Sequence, residues 1–135
     1  MVLVDSSVWI DLLRGRDTPA VGALRHLLAS GEAALAPVIY HEVLQGAASP
    51  ERFVKLQRYF GSLPFLLPVH PIETYASAAK LYVACRKKGF TPRSPHDCLV
   101  ARIAAEHAVP LLHDDRDFDA LGHVEKALKF YPVAG

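Results

Sequence analysis

Short apolar runs alternate with longer amphipathic stretches along this chain. Each apolar run is too short for a helix, and none alternates apolar with polar positions as a half-solvated antiparallel strand does. The pattern therefore predicts buried parallel strands. They are VLV at 2–4, FLLPV at 65–69, VPLL at 109–112, a weaker AALA at 33–36, and a candidate edge strand in ALKFYPV at 127–133, where Pro132 would stop pairing.

Three amphipathic stretches between these runs predict helices. TPAVGALRHLLASG at 18–31 and SPERFVKLQRYFG at 49–61 each begin with a capping hydroxyl and a proline, and each ends at a glycine. The longest, PIETYASAAKLYVACRKKG at 71–89, has one apolar face of the kind that packs on a core. That face consists of Ile72, Tyr75, Ala76, Ala79, Tyr82 and Val83. Strands alternating with helices predict an α/β fold, in which helices cover both faces of a central parallel sheet.

Length and composition indicate a single folded domain and limit the kinds of protein this chain can be. A chain of 135 residues suits one domain, 1–135, with a sizeable core. Its 15 basic and 14 acidic residues leave a charge of +1, so any charged site must be local. Cys85 and Cys98 form no CxxC pair and suit free thiols in a reducing cytoplasm. No run approaches the ~18 apolar residues of a membrane helix. The N-terminal run MVLV is followed directly by Asp5, so it lacks the long apolar stretch of a signal peptide. We expect a cytoplasmic protein.

Four acids are predicted to meet at one edge of the sheet. Ligands of open parallel sheets bind beyond the carboxyl ends of the strands. Asp5 directly follows the first strand, and Asp115 follows VPLL. Glu42, in APVIYHEVLQG, and Asp97, in RSPHDCLVARIAAEH, have apolar neighbours and reach the same edge from helices. Each acid alone has an ordinary structural explanation, such as a helix cap or a solvated helix acid; their joint placement favours a site.

Clustered carboxylates call for a cation. In a low dielectric they repel one another and raise one another's pKa values unless a positive charge neutralises them. A hard divalent ion such as Mg²⁺ or Mn²⁺ takes oxygen ligands and keeps several waters. Such an ion activates water and stabilises charge on a leaving oxygen, so the chemistry predicted is phosphodiester hydrolysis.

Four segments in order, VLVDSSVWID, HEVLQG, RSPHDCLVARIA and LLHDDRDFDAL, resemble the PIN-domain ribonucleases, specifically the VapC-type toxins of toxin–antitoxin pairs. The resemblance implies a three-layer α/β/α sandwich and a Mg²⁺- or Mn²⁺-dependent endoribonuclease. Its catalytic acids match Asp5, Glu42, Asp97 and Asp115. Metal ligation falls first to Asp5 and Asp97, with Asp115 as a further ligand.

Supporting residues follow from the same resemblance. Asp117 matches an additional acid that holds metal through water, and Ser7 matches a hydrogen-bonding support. His113 stands where many members have Thr or Ser, so a hydrogen bond from its ring would vary with pH. We expect Asp114 and Asp119, the other acids of LLHDDRDFD, to be solvated turn residues.

The resemblance also implies partners. An antitoxin would lay a C-terminal segment across the acidic groove, and the toxin would form a homodimer. Candidate antitoxin contacts are Tyr40, Phe53, Leu56 and Tyr59, for which core packing is the alternative. Candidate contacts to RNA phosphates are Arg86, Lys87, Lys88 and Arg93, although cations are also favoured at a helix C-terminus.

Three other interpretations compete with a nuclease. A zinc-protease helix needs a second His where HEVLQ has Gln45. A Mg²⁺-binding receiver domain needs an acid pair after the first strand and an Asp after the third, and this chain has Ser6 after Asp5 and no Asp after FLLPV. A catalytically silent PIN scaffold is disfavoured by the presence of all four acids.

Overall fold

The computed structural model describes residues 1–133. Strands are few and short in this part of the chain, and helices make up most of it. In chain order the elements are β1 (Val2–Val4), α1 (Ser6–Leu13), α2 (Pro19–Ala29), β2 (Ala33–Ala34), α3 (Pro37–Gln45), α4 (Pro50–Gly61), α5 (Pro71–Lys87), α6 (Pro95–Glu106), β3 (Leu111–Leu112) and α7 (Asp117–Val124).

The strands form a parallel sheet in the order β2-β1-β3. Leu3 pairs with Ala34 on one side and with Leu111 on the other, which makes β1 the central strand. Single parallel bridges extend the sheet outward, from Leu35 to Phe65 and from Leu111 to Phe130. The predicted α/β fold with a parallel sheet between helices is therefore confirmed, and the weak run AALA does supply a strand.

The FLLPV run is wrong as a predicted strand beyond its first residue. Phe65 bridges Leu35, and the Leu66 N–H donates to the Leu35 carbonyl at 2.7 Å. Pro68 then lacks an N–H for a ladder, and the Val69 N–H donates to the Glu106 carboxylate at 2.9 Å. The proline and a side-chain acceptor thus draw this segment away from the sheet. At the other edge, Phe130 forms the predicted contact as a single bridge.

The face of α5 predicted to pack on the core lies outside instead. The residues that α5 buries are Thr74, Ala78, Leu81 and Cys85. In contrast, Ile72 is 86% exposed and Tyr75 is 57% exposed. Both stripes have helical spacing and both are largely apolar, so periodicity alone did not reveal which one meets the core. Thr74, Ala78 and Cys85 are small, which lets α5 pack closely on α6. Of the predicted face, Tyr82 alone among its large side chains is half-buried against the core.

Large side chains behind the acidic edge hold α1 in place. Trp9 is fully buried, its indole N–H donates to the Val4 carbonyl at 3.1 Å, and its ring meets Phe60 edge-on at 5.0 Å. The tryptophan therefore serves the core and is not available to stack on a base. None of the helices within residues 1–133 has the length and apolarity required to cross a bilayer.

Candidate metal centre

Asp5 lies where β1 ends and α1 begins. It is the N-cap of α1: its Oδ2 accepts the Ser7 N–H at 3.0 Å and the Ser7 hydroxyl at 2.7 Å. Only 3% of Asp5 is exposed. Burial raises the pKa of Asp5 and the Glu42 charge adds to it, while the bonds from Ser7 oppose the shift. A buried carboxylate with two donors on one oxygen is a fixed acceptor at the sheet edge.

Three further acids converge in front of that edge. Asp97 comes from the first turn of α6, Asp115 from the loop after β3, and Asp117 from the first residue of α7. One carboxylate oxygen from each lies within 4.8 Å of the others. The Ser94 hydroxyl accepts the His96 N–H to cap α6, so Asp97 is not needed for capping. Of the four acids predicted to converge, Asp97 and Asp115 belong to this group, Asp117 joins them, and Asp5 and Glu42 are not part of it.

The raised pKa of Asp97 reflects its burial and the acids around it. Desolvation, followed by the charges of Asp5, Asp115, Asp117 and Glu42, raises the pKa of Asp97 to about 7. A divalent ion would reverse that shift, because it favours the ionised form of every acid around it. Among the described residues, these acids offer hard oxygen donors of the kind that Mg²⁺ and Mn²⁺ bind, so the donor set fits a divalent cation.

Glu42 reaches the edge from α3. Its Oε2 accepts the Ser6 hydroxyl at 2.9 Å, and its Oε1 lies 3.5 Å from the His96 Nδ1. Ser6 holds Glu42 through this bond and was not among the predicted site residues. The available signal was its place directly after Asp5 at the start of a helix, where both serines of the pair can turn toward the site. Glu42 is thereby oriented by groups from α1 and α6.

Arg93 lies among the acids and not on a separate basic surface. Its Nη2 donates to Asp115 Oδ1 at 2.8 Å, and its Nε donates to Asp117 Oδ2 at 3.0 Å. Its backbone N–H also donates to Asp117 Oδ2, at 3.1 Å. Burial would raise the pKa of Asp117, but the bonds and charge of Arg93 outweigh it and lower that pKa. The other three predicted RNA contacts, Arg86, Lys87 and Lys88, are exposed around the C-terminus of α5.

His113 supports the loop that holds Asp115. Its Nδ1 accepts the Asp115 N–H at 3.2 Å, and its ring packs on Phe118 and Phe130 at centroid distances of 5.1 and 4.8 Å. Its Nε2 lies 3.5 Å from Asp119, whose side chain is 69% exposed. The nearby Ser7 hydroxyl also accepts the Asp114 N–H at 3.1 Å, so Ser7 ties this loop to Asp5.

The two cysteines lie behind the site and do not take part in it. Both are buried and free. Burial, with smaller contributions from Cys85 and Asp97, raises the pKa of Cys98 to about 12. A thiol with so high a pKa remains protonated at neutral pH and is a poor nucleophile.

Residues 2–124 match the family model of the PIN domain. Ribonuclease VapC11 of Mycobacterium tuberculosis and VapC ribonuclease Mb1587 of Mycobacterium bovis are each 34% identical to this chain over 126 residues. The match covers 92% of this chain and 93% of each relative. These lengths and identities show common family membership.

Solved structures share the fold. A toxin–antitoxin complex from Klebsiella pneumoniae has a TM-score of 0.62 at 21% identity, over 87% of this chain and 90% of the other. FitAcB from Neisseria gonorrhoeae has a TM-score of 0.67 at 18% identity, over 97% of both chains. FitAB bound to an IR36 DNA fragment has a TM-score of 0.70 at 19% identity, over 97% of this chain and 94% of the other. The chain belongs to the PIN domain family, among the VapC ribonucleases.

Proposed function

We propose that this protein is the toxin of a toxin–antitoxin pair and an endoribonuclease that hydrolyses RNA phosphodiester bonds with Mg²⁺. The observation that carries the proposal is the convergence of Asp97, Asp115 and Asp117 beside buried Asp5. Its support from relatives is the 34% identity to proteins named VapC ribonucleases. Mn²⁺ is the alternative ion, since it accepts the same oxygen ligands.

Each acid of the site has a proposed role in the reaction. Asp97 and Asp115 would hold the ion, and Asp117 is close enough to join them. Asp5, whose charge contributes to the raised pKa of Asp97, is the third proposed ligand. When bound, the ion lowers the pKa of a water and stabilises charge on the leaving oxygen. Glu42, whose Oε2 is held by the Ser6 hydroxyl and whose Oε1 lies 3.5 Å from His96 Nδ1, would accept a proton from water. Exposed Arg86, Lys87 and Lys88 would attract the RNA backbone at the end of α5.

Cleavage of RNA with and without Mg²⁺ tests this proposal. Asp5→Asn and Asp97→Asn each remove one charge from the cluster while keeping the shape of the side chain. Both should reduce the rate at least ~100-fold, and chelation should abolish it. Cleavage that persists in chelator, or in either variant at the wild-type rate, would show that these acids do not perform the chemistry.

An antitoxin segment has a suitable groove beside the acids. The groove has a volume of about 210 Å³ and extends from Glu42 to Leu56 on α4, with Leu13 and Ala48 in its wall. Of the predicted contacts, Leu56 lines this groove. Phe53 lines an adjoining groove at the start of α4, whereas Tyr59 is 45% exposed and Tyr40 packs edge-on against Phe65. We propose that an apolar segment of the antitoxin binds here and covers Glu42.

Growth arrest on expression, relieved by the product of an adjoining small gene, tests the antitoxin assignment. Ala48→Glu places a charged side chain in the groove and should abolish relief while arrest persists. Lys55→Glu, on α4 next to this loop but outside the groove, should leave relief intact. If both variants are still relieved, the antitoxin binds elsewhere. Because such a toxin acts on cellular RNA, we propose a cytoplasmic location, in which free Cys85 and Cys98 are stable.

We further propose that the protein forms a homodimer through the outer face of α5. Ile72, Tyr75 and Val83 are exposed there. Beside them lies an apolar groove of about 390 Å³, to which Tyr82 and Leu99 contribute. A contiguous apolar surface of this kind marks an interaction site, and the residues that line the groove include no carboxylate, lysine or arginine. The Arg86 guanidinium lies at its edge, 5.4 Å from the centre of the Tyr82 ring. The groove also includes His96, which places this face next to the acidic edge.

A further inference from the structure

Arg93 is the one residue whose side chain bonds two acids of the cluster at once, among residues 1–133. It lies in the loop between α5 and α6, four positions before Asp97, and it contacts the segment that carries Asp115 and Asp117. The guanidinium therefore connects the two stretches of chain that provide the three converging acids.

The pattern of acceptors shows which carboxylate oxygens remain available. Asp115 accepts from Arg93 and from the Asp117 N–H, both on Oδ1. Asp117 accepts from the Arg93 side chain and backbone, both on Oδ2. Within residues 1–133 these bonds leave Asp115 Oδ2 and Asp117 Oδ1 without a hydrogen bond. Arg93 thus bonds one oxygen of each acid, and the second oxygen of each remains a candidate ligand for an ion.

The backbone around Arg93 is itself constrained. Pro92 precedes it and is buried, and Ser94 before Pro95 caps α6. The Arg93 N–H is fixed on Asp117. Pro95 restricts the backbone of Ser94, the residue that follows Arg93. Although the Arg93 side chain is 68% exposed, its backbone N–H is held by the same carboxylate oxygen that its Nε bonds.

We propose that Arg93 is a positioning residue that sets the spacing of Asp115 and Asp117 for a divalent ion. The inference rests on the proposed metal site and goes beyond the RNA contact predicted for Arg93. Residues that orient metal ligands through hydrogen bonds change metal affinity by about 10- to 100-fold when substituted. A cation that merely repelled the ion would act in the opposite direction, because its removal would tighten binding.

Mn²⁺ binding to the full chain without RNA, measured by calorimetry or by loss of the free-ion electron paramagnetic resonance signal, separates these outcomes. Arg93→Met should weaken binding about 10-fold or more. Arg93→Lys keeps the charge but not the paired donors, so it should weaken binding nearly as much. Arg116→Met is the matched control: Arg116 lowers the Asp117 pKa by its charge, and its removal should not weaken binding.

Tighter binding by Arg93→Met, or wild-type affinity in Arg93→Lys, would overturn the positioning role and assign Arg93 to charge alone. In an Asp117→Asn background, Arg93→Met should cause less than its single-variant loss, since the shared contact is already gone. Additive losses would also contradict the inference. A wild-type protein that binds no Mn²⁺ would refute the metal site itself, whereas one that binds Mn²⁺ without cleaving RNA would refute only the proposed reaction.

Discussion

At the scale of single residues, Asp97 links charge to stability. Its pKa is raised from 3.8 to about 7, because it is desolvated and four other acids surround it. Between these two values the folded protein holds a proton that the unfolded chain has released. The contribution of Asp97 to the free energy of unfolding therefore decreases as pH rises through this range.

Asp97→Asn should accordingly stabilise the ion-free protein at pH 8, by ~1–3 kcal/mol. The difference from wild type should shrink below pH 7 and vanish below about pH 3, where Asp97 is protonated in both the folded and the unfolded state. Urea unfolding of both proteins across this pH range, in chelator, measures the difference. A stability difference that does not change with pH would contradict this origin of the effect.

Ala108 carries a local conformational cost. It has a φ of 53° at the end of α6, a left-handed conformation that a Cβ disfavours. Ala108→Gly should therefore raise the free energy of unfolding by ~0.5–1 kcal/mol, as urea denaturation would show. Ala105→Gly, three residues earlier within the helix, should lower it by ~1 kcal/mol. A destabilised Ala108→Gly variant would mean that this backbone is not held in the left-handed region.

At the scale of elements, α7 and the sheet edge meet at Gly122. A Cβ at this position would lie 2.8 Å from Cε2 of Phe130, the residue that bridges to Leu111. Gly122→Ala should therefore destabilise the fold by ~1–3 kcal/mol through overpacking, despite the better helix propensity of alanine. Thermal unfolding measures the cost. Gly22→Ala on α2 is the control: nothing lies within 4 Å of the added methyl group, so it should not destabilise.

If Phe130 is the cause, Phe130→Leu should recover part of the stability that Gly122→Ala loses, because the two sites share one contact. Independent losses in the double variant would show that the methyl group clashes elsewhere.

The exposed apolar residues on the outer face of α5 predict that the protein is a dimer. Tyr75→Glu places a charge within the apolar stripe and should convert a dimer to a monomer in light scattering after size-exclusion chromatography. Lys80→Glu is on the same helix but outside this groove, so the dimer should persist. A wild-type protein that is monomeric at high concentration, or a Tyr75→Glu variant that stays dimeric, would contradict the proposed interface.

For the whole molecule, the order of strands and helices along the chain predicted the parallel sheet and the edge of it at which Asp5 and Asp115 lie. A strand followed at once by Asp5, and another followed by Asp115, place both acids by topology alone. The sequence pattern did not predict which face of α5 is buried, because two faces of that helix have the same apolar spacing. It also predicted a strand through Val69, whose N–H bonds the Glu106 carboxylate instead of a neighbouring strand. Spacing also does not encode contacts such as Arg93 to Asp115, which join residues 22 positions apart.

The proposed reaction is tested most directly by one pair of variants in the run LLHDDRDFD. RNA cleavage rates at saturating Mg²⁺ should fall at least ~100-fold in Asp115→Ala, whose carboxylate lies in the cluster. Asp119→Ala removes an exposed carboxylate that lies 3.5 Å from His113 Nε2. The cleavage rate of this variant should stay within about twofold of the wild-type rate. Equal effects of the two substitutions, or wild-type cleavage by Asp115→Ala, would contradict a reaction performed at the carboxylate cluster.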